Sequence, residues 1–153
     1  MRRVLILFAI GALLVVSACA SSSGISNLQG QWHRNNYGAG HEILDCSGST
    51  AQVLCEYTTD PESNSGTFAG AVVDAEACPS YMKELCTSAV VIAQGTAQFT
   101  TGIVTDETIA VQADGSMMLS FDTPDVLPGA PFMCPWFRSY ETALQEPYDC
   151  QES

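Results

Sequence analysis

From residue 28 onward, hydrophobic and polar positions alternate with a period of two over most of the chain, the pattern of strands with one buried face. In Leu28–Arg34, the residues Leu28, Gly30 and Trp32 alternate with Gln29, Gln31 and His33. His41–Cys46 sets Leu44 and Cys46 against Ile43 and Asp45, and Ala51–Thr58 sets Val53, Cys55 and Tyr57 against Gln52, Leu54 and Glu56. The same reading predicts strands over Gly66–Asp74, Ser88–Gln94, Thr96–Val104, Glu107–Ala113, Ser116–Asp122 and Phe132–Arg138. Small residues on one face of Gly66–Asp74 imply a crowded or sharply curved sheet.

Turn chemistry punctuates these segments. Cys46–Thr50 reads as a hairpin turn, Asp114-Gly115 as a tight one, and Thr59–Ser65 and Thr123–Pro131 as loops. Two short helices are predicted. Pro79 opens one over Ser80–Cys86, and Ser139 caps another over Tyr140–Gln145, stopped by Pro147. No internal repeat is visible. The expected fold is mainly β, a small antiparallel barrel or sandwich of seven to nine strands with one or two short helices.

Upstream of residue 28 the pattern is different. Met1, Arg2 and Arg3 precede an unbroken apolar run from Val4 to Val16, which is too short for a bilayer span of about 20 residues. A basic start, an apolar middle and a small-residue exit are the parts of a secretory signal peptide. The exit, Val16-Ser17-Ala18-Cys19, resembles the lipobox of bacterial lipoprotein precursors. That resemblance implies cleavage after Ala18, a thioether-linked lipid on Cys19 and an acylated new amino terminus. Several acyl chains give stable membrane anchoring where one does not. The expected organisation is a signal peptide over 1–18, a Ser/Gly-rich lipidated tether over 19–27 and one β-rich domain over 28–153. The expected address is the cell envelope. In a Gram-negative source, Ala20 after the cysteine implies the periplasmic side of the outer membrane.

Without Cys19 an even six cysteines remain: Cys46, Cys55, Cys78, Cys86, Cys134 and Cys150. In an oxidising compartment they read as three disulfides, and pairing of neighbours is the simplest scheme. One of those pairs is in tension with the helix reading. A helix over 79–86 would hold Cys78 and Cys86 about 12 Å apart at 1.5 Å per residue, beyond bridging distance. Either that segment is mostly loop or the two pair elsewhere. A zinc or redox-dithiol use has little support, since no C-x-x-C occurs and only two histidines are present.

Charge excludes one class of partner. Loss of Arg2 and Arg3 leaves Arg34, Lys83 and Arg138 against seventeen acids, or −14. That balance is incompatible with neutralising nucleic-acid phosphates and with electrostatic docking on anionic lipid.

Candidate chemistry is sparse. Gly30-Gln31-Trp32 in the first strand resembles the G-x-W of lipocalins and avidin-like barrels. The resemblance implies that Trp32 closes one barrel end and that Arg138, after the last strand, stacks over it. Trp136, with Phe132 and Tyr140, is a candidate pocket wall beside Cys134. His33 and His41 accompany no G-x-S-x-G elbow and no H-E-x-x-H, so no nucleophile–base set is visible. The acids at Asp106-Glu107 and Asp122–Asp125 read as strand-end turn formers rather than calcium ligands. No cofactor or metal is expected. The leading expectation is a non-catalytic envelope lipoprotein whose barrel binds a small apolar ligand or a protein. A secreted hydrolase inhibitor is the alternative, and an enzyme comes last.

Overall fold

Alternation resolves into eight antiparallel strands that follow one another around a nearly closed barrel. The computed structural model describes residues 24–36, 40–60, 64–122, 131–146 and 150–152. The strands are β1 (Gly30–Asn36), β2 (Gly40–Ser49), β3 (Gln52–Asp60), β4 (Gly66–Val72), β5 (Ala89–Phe99), β6 (Val104–Gln112), β7 (Met117–Asp122) and β8 (Phe132–Trp136). Each pairs with the next. Closure rests on one bridge just beyond β8, where His33 and Phe137 exchange backbone bonds of 2.7 and 2.9 Å. A two-residue strand, β9 (Gln151–Glu152), adds to the free side of β8 at Phe132 and Met133. It lines the stretch of the seam that β1 leaves unpaired.

Register explains the core. The pairs Trp32↔Leu44, Leu44↔Tyr57, Cys55↔Phe68 and Ile109↔Leu119 all point inward, as a period of two requires. These residues are buried, with Val53, Val91, Val111 and Met117 among them. The small face anticipated on β4 has a steric cause. Gly70 faces Gly95 on β5, and a Cβ on either would collide with the opposite backbone. The Phe68 ring also lies against Gly70.

A second apolar cluster lies outside the barrel wall. Met82 and Cys86 cover the outward side chains Ile92 and Ala110, with Met118 and Met133 at the margin. The covering segment contains 3-10 turns at Ala75–Ala77 and Ser80–Met82, followed by helix α2 (Lys83–Ser88). It departs from the single helix expected over 80–86. The backbone breaks at Met82, where φ is −101° and ψ is 0°. Cys78 and Pro79 are extended, with ψ of 144° and 147°, and α2 begins only at Lys83; the Cys78–Cys86 Cα distance is 6.5 Å, so the neighbouring cysteines pair after all. Cys46–Cys55 joins directly opposed residues of β2 and β3, and Cys134–Cys150 ties the C-terminal segment to β8.

Other boundaries shift for physical reasons. Strand β2 runs on through the supposed Cys46–Thr50 turn to Ser49, and the hairpin turns at Thr50-Ala51, with Gly48 at φ +113°. The predicted strands over 88–94 and 96–104 are one strand, β5, followed by a turn at 100–103. Asp114-Gly115 does make a hairpin turn, the Asp114 carboxylate accepting from the Ser116 N–H and hydroxyl. Helix α3 (Tyr140–Gln145) occupies its expected span, capped by Ser139 accepting from the Thr142 N–H at 3.1 Å. A further helical turn, α1 (Ile25–Leu28), stands where tether was expected to continue to residue 27. Its Ile25 and Leu28 are buried against the barrel, which makes the turn part of the domain.

Candidate functional site

The barrel has two unlike ends. At one, Leu28 and Trp32 are fully buried and the Trp32 indole N–H donates to the Leu28 carbonyl at 2.8 Å. Arg138 lies over the Trp32 ring, its guanidinium carbon 3.7 Å from the centroid. The same guanidinium donates to the Gln29 carbonyl at 2.8 Å and to the Asn27 carbonyl. Trp32 and Arg138, singled out from the sequence, are thus brought together as a plug. This end is filled.

The other end holds a cavity of about 230 Å³. Its apolar walls are Phe99, Ile103, Leu119, Phe121 and Trp136, and its polar groups include Arg34, Glu42, Tyr57, Thr105 and Glu107. Three of these polar groups stand on the inward phase of their strands for the same reason as their apolar neighbours. Arg34 follows Trp32 by two residues, Glu42 precedes Leu44 by two, and Glu107 precedes Ile109 by two. Arg34 and Glu42 are cross-strand partners and form an ion pair of 2.5 Å. Arg34 also donates to the Cys150 sulfur.

Glu107 is only 4% exposed. Its carboxylate accepts from the Tyr57 hydroxyl at 2.5 Å and the Thr105 hydroxyl at 2.9 Å. Burial pushes its pKa up to about 7, and these two hydrogen bonds only partly oppose that. Tyr57 is shifted upward as well, by burial first and by the Glu107 charge second. The sequence reading of Glu107 as a turn-forming acid at a strand end is corrected here. It lies inside β6 and faces the cavity.

Two buried donors in this wall have no acceptor. Trp136 Nε1 and Arg34 Nε find no hydrogen-bond partner, although the residues are 2% and 9% exposed. The Arg34 guanidinium carbon stands 5.4 Å from the centre of the Trp136 ring, so the two side chains meet in one corner of the lining. Buried donors left unpaired cost about 1–3 kcal/mol each, which makes such a corner a place for an acceptor.

The remaining candidates fall elsewhere. Tyr140, expected beside Trp136, is on the outer surface, its ring stacked on His41 at 3.7 Å between centroids. His33 and His41 meet there too, with Nδ1 and Nε2 3.0 Å apart. Both pKa values are lowered, chiefly by partial burial. Among the described residues no group of three or more His, Cys, Asp or Glu is arranged to hold a metal. Cys19 with the signal segment, the span 123–130 and the tip of the Thr59–Ser65 loop at 61–63 lie outside the described residues. Searches against protein-family models, curated proteins and solved structures return no match for this chain.

Proposed function

We propose that this chain is an envelope lipoprotein, anchored through Cys19, whose barrel is a non-catalytic module binding a small and mainly apolar ligand. The cavity beside Trp136 is the observation that carries the reading. The barrel keeps about 230 Å³ unfilled at this end, walled by aromatic and aliphatic side chains. Protein interiors are ordinarily packed to crystal density, so retained space with convergent polar groups is the usual form of a ligand site. The volume lies below the ~300–1,000 Å³ of drug-sized pockets, and the ligand is correspondingly small. The plug of Trp32 and Arg138 supports the likeness to barrels of the lipocalin and avidin kind, which close one end and bind at the other.

The test is mass spectrometry of the protein released gently from its native membrane. The expected spectrum shows a lipid-modified amino-terminal cysteine, three disulfides and a retained small molecule that exchanges with added apolar probes. A mature chain that starts elsewhere and carries no fatty acid would defeat the anchoring half. A barrel that holds only water and takes up no probe would defeat the binding half.

A further inference from the structure

We infer that the cavity selects an uncharged ligand with a carbonyl-type acceptor, received by the indole N–H of Trp136 and the Nε–H of Arg34. This rests on the binding-module reading above and specifies its ligand class. Size and lining come first. At about 30 Å³ per liquid water, the cavity has the room of roughly eight waters, enough for a compact ligand of a single ring or a short chain. Phe99, Phe121, Ile103 and Leu119 offer such a body nothing but apolar surface.

The polar corner then decides the head group. Both unpartnered groups of the Trp136 corner are donors, and neither an indole N–H nor a guanidinium N–H can accept; Asn64 Oδ1, elsewhere in the lining, is an unpartnered acceptor. A ligand that brings only donors leaves them unmet. One that brings an acceptor satisfies groups the protein leaves without a partner.

Charge narrows the class further. Arg34 is already neutralised by Glu42, at 2.5 Å, so it offers direction rather than net charge. A carboxylate ligand would enter beside Glu42 and Glu107, two acids in a wall with one base. It could be accommodated only with Glu107 held protonated. An ammonium ligand would gain Glu107, yet it would still leave both donors empty. A neutral ketone, ester, lactone or amide meets neither penalty.

The experiment uses the full chain, isotopically labelled at tryptophan nitrogen, and four ring probes of one shape. These are cyclohexanone, its hydrocarbon analogue methylenecyclohexane, cyclohexanecarboxylate and cyclohexylammonium. The chain has two indole signals, and only that of Trp136 lacks an acceptor. Cyclohexanone is expected to move the Trp136 signal downfield and leave that of Trp32 in place. It should bind about tenfold tighter than the hydrocarbon, the worth of one net hydrogen bond to a buried donor. Trp136→Phe should erase that tenfold preference. Should the variant not fold, the indole signal of the unaltered chain still reports the contact.

Tighter binding of either charged probe would overturn the ligand class and leave the binding module standing. Equal binding of ketone and hydrocarbon, with the Trp136 signal unmoved, would overturn the acceptor role. If no probe binds and the indole shows exchange with water alone, the inference and the binding-module reading fall together.

Discussion

The two tryptophans of the barrel are alike in burial and unlike in everything around them. Trp32 is fully buried and Trp136 is 2% exposed, and each has an arginine near its ring. At Trp32 every polar group is used: the indole donates to Leu28, and Arg138 donates to two backbone carbonyls while covering the ring. At Trp136 the indole N–H and the Arg34 Nε have no acceptor, and both residues line a cavity. One end satisfies the polar groups of its tryptophan and stacks a cation on the ring, which is what stability selects. The other leaves two buried donors without partners, which stability alone does not explain. On this difference rests the proposed division, with structure at the first end and ligand capture at the second.

The largest effect should come from breaking the plugged end. Trp32→Ala removes a fully buried indole and leaves the Leu28 carbonyl without its donor, for an expected loss of about 3–5 kcal/mol. That is a large part of the about 5–15 kcal/mol that holds an ordinary domain together. Denaturant melting of the variant checks it, and a loss under about 1 kcal/mol would mean the end is not a plug.

Next in size is the ion pair beside the cavity. Glu42→Gln leaves Arg34 buried without its counter-charge and is expected to cost about 3 kcal/mol. The double variant Arg34→Met, Glu42→Met should recover most of that loss, because a buried pair is barely better than apolar packing of similar volume. It should also lose affinity for a carbonyl probe, since the Arg34 donor has gone. Recovered stability with unchanged affinity would separate Arg34 from the ligand.

Much of this molecule is legible in its alternation, and the exceptions have identifiable causes. Strands β1 to β3, the Asp114-Gly115 turn and the Ser139-capped helix are local patterns and emerge from local reading. The β5–β6 hairpin does not. The segment at 75–88 covers the outer face of the barrel there, so Val91, Ile92 and Ala93 are all buried and the period of two is erased. The tie between Cys78 and Cys86 hid behind a similar non-local cause, a segment that covers that face with extended backbone at Cys78 and Pro79 rather than one helix.

The cavity was only half legible. Trp136 stands out in the sequence as an aromatic near Cys134, whereas polarity alone places charged side chains on the surface. Arg34, Glu42 and Glu107 each share the inward phase with a core residue two positions away. A charge in step with a buried face is a signal that polarity-based reading discards as surface.

Glu107 gives the comparison a dependence on pH. Its folded pKa of about 7 lies above an ordinary value of 4.5, so the fold prefers the protonated form. At a pH below 4.5 neither state is ionised and the residue contributes no pH dependence. As pH rises from 4.5 to 7 the unfolded chain releases a proton that the folded one retains, and stability falls; above 7 the loss is complete. That difference corresponds to about 3 kcal/mol at most. Glu107→Gln should therefore stabilise the protein by about 2–3 kcal/mol well above pH 7 and by almost nothing near pH 4, keeping partners for Tyr57 and Thr105. Paired melts at the two pH values measure it, and a pH-independent effect would mean the carboxyl is not held in a dry wall.

The smallest expected change tests whether the two ends act independently. Arg138 is exposed on its outer side, and its contact with Trp32 joins a planar cation to a ring face. Lysine keeps the charge, but it replaces the flat guanidinium with a compact ammonium that cannot reach the Asn27 and Gln29 carbonyls in one geometry. Arg138→Lys should cost about 1 kcal/mol, the scale of an exposed cation–π contact with modest hydrogen bonds. Binding of a carbonyl probe at Trp136 should be unchanged, because the substitution touches neither the cavity lining nor a residue that supports it. A matched loss of stability and affinity would mean that the plug also sets the shape of the cavity. The barrel would then be one coupled unit, with Trp32 and Arg138 acting on the ligand from the opposite end.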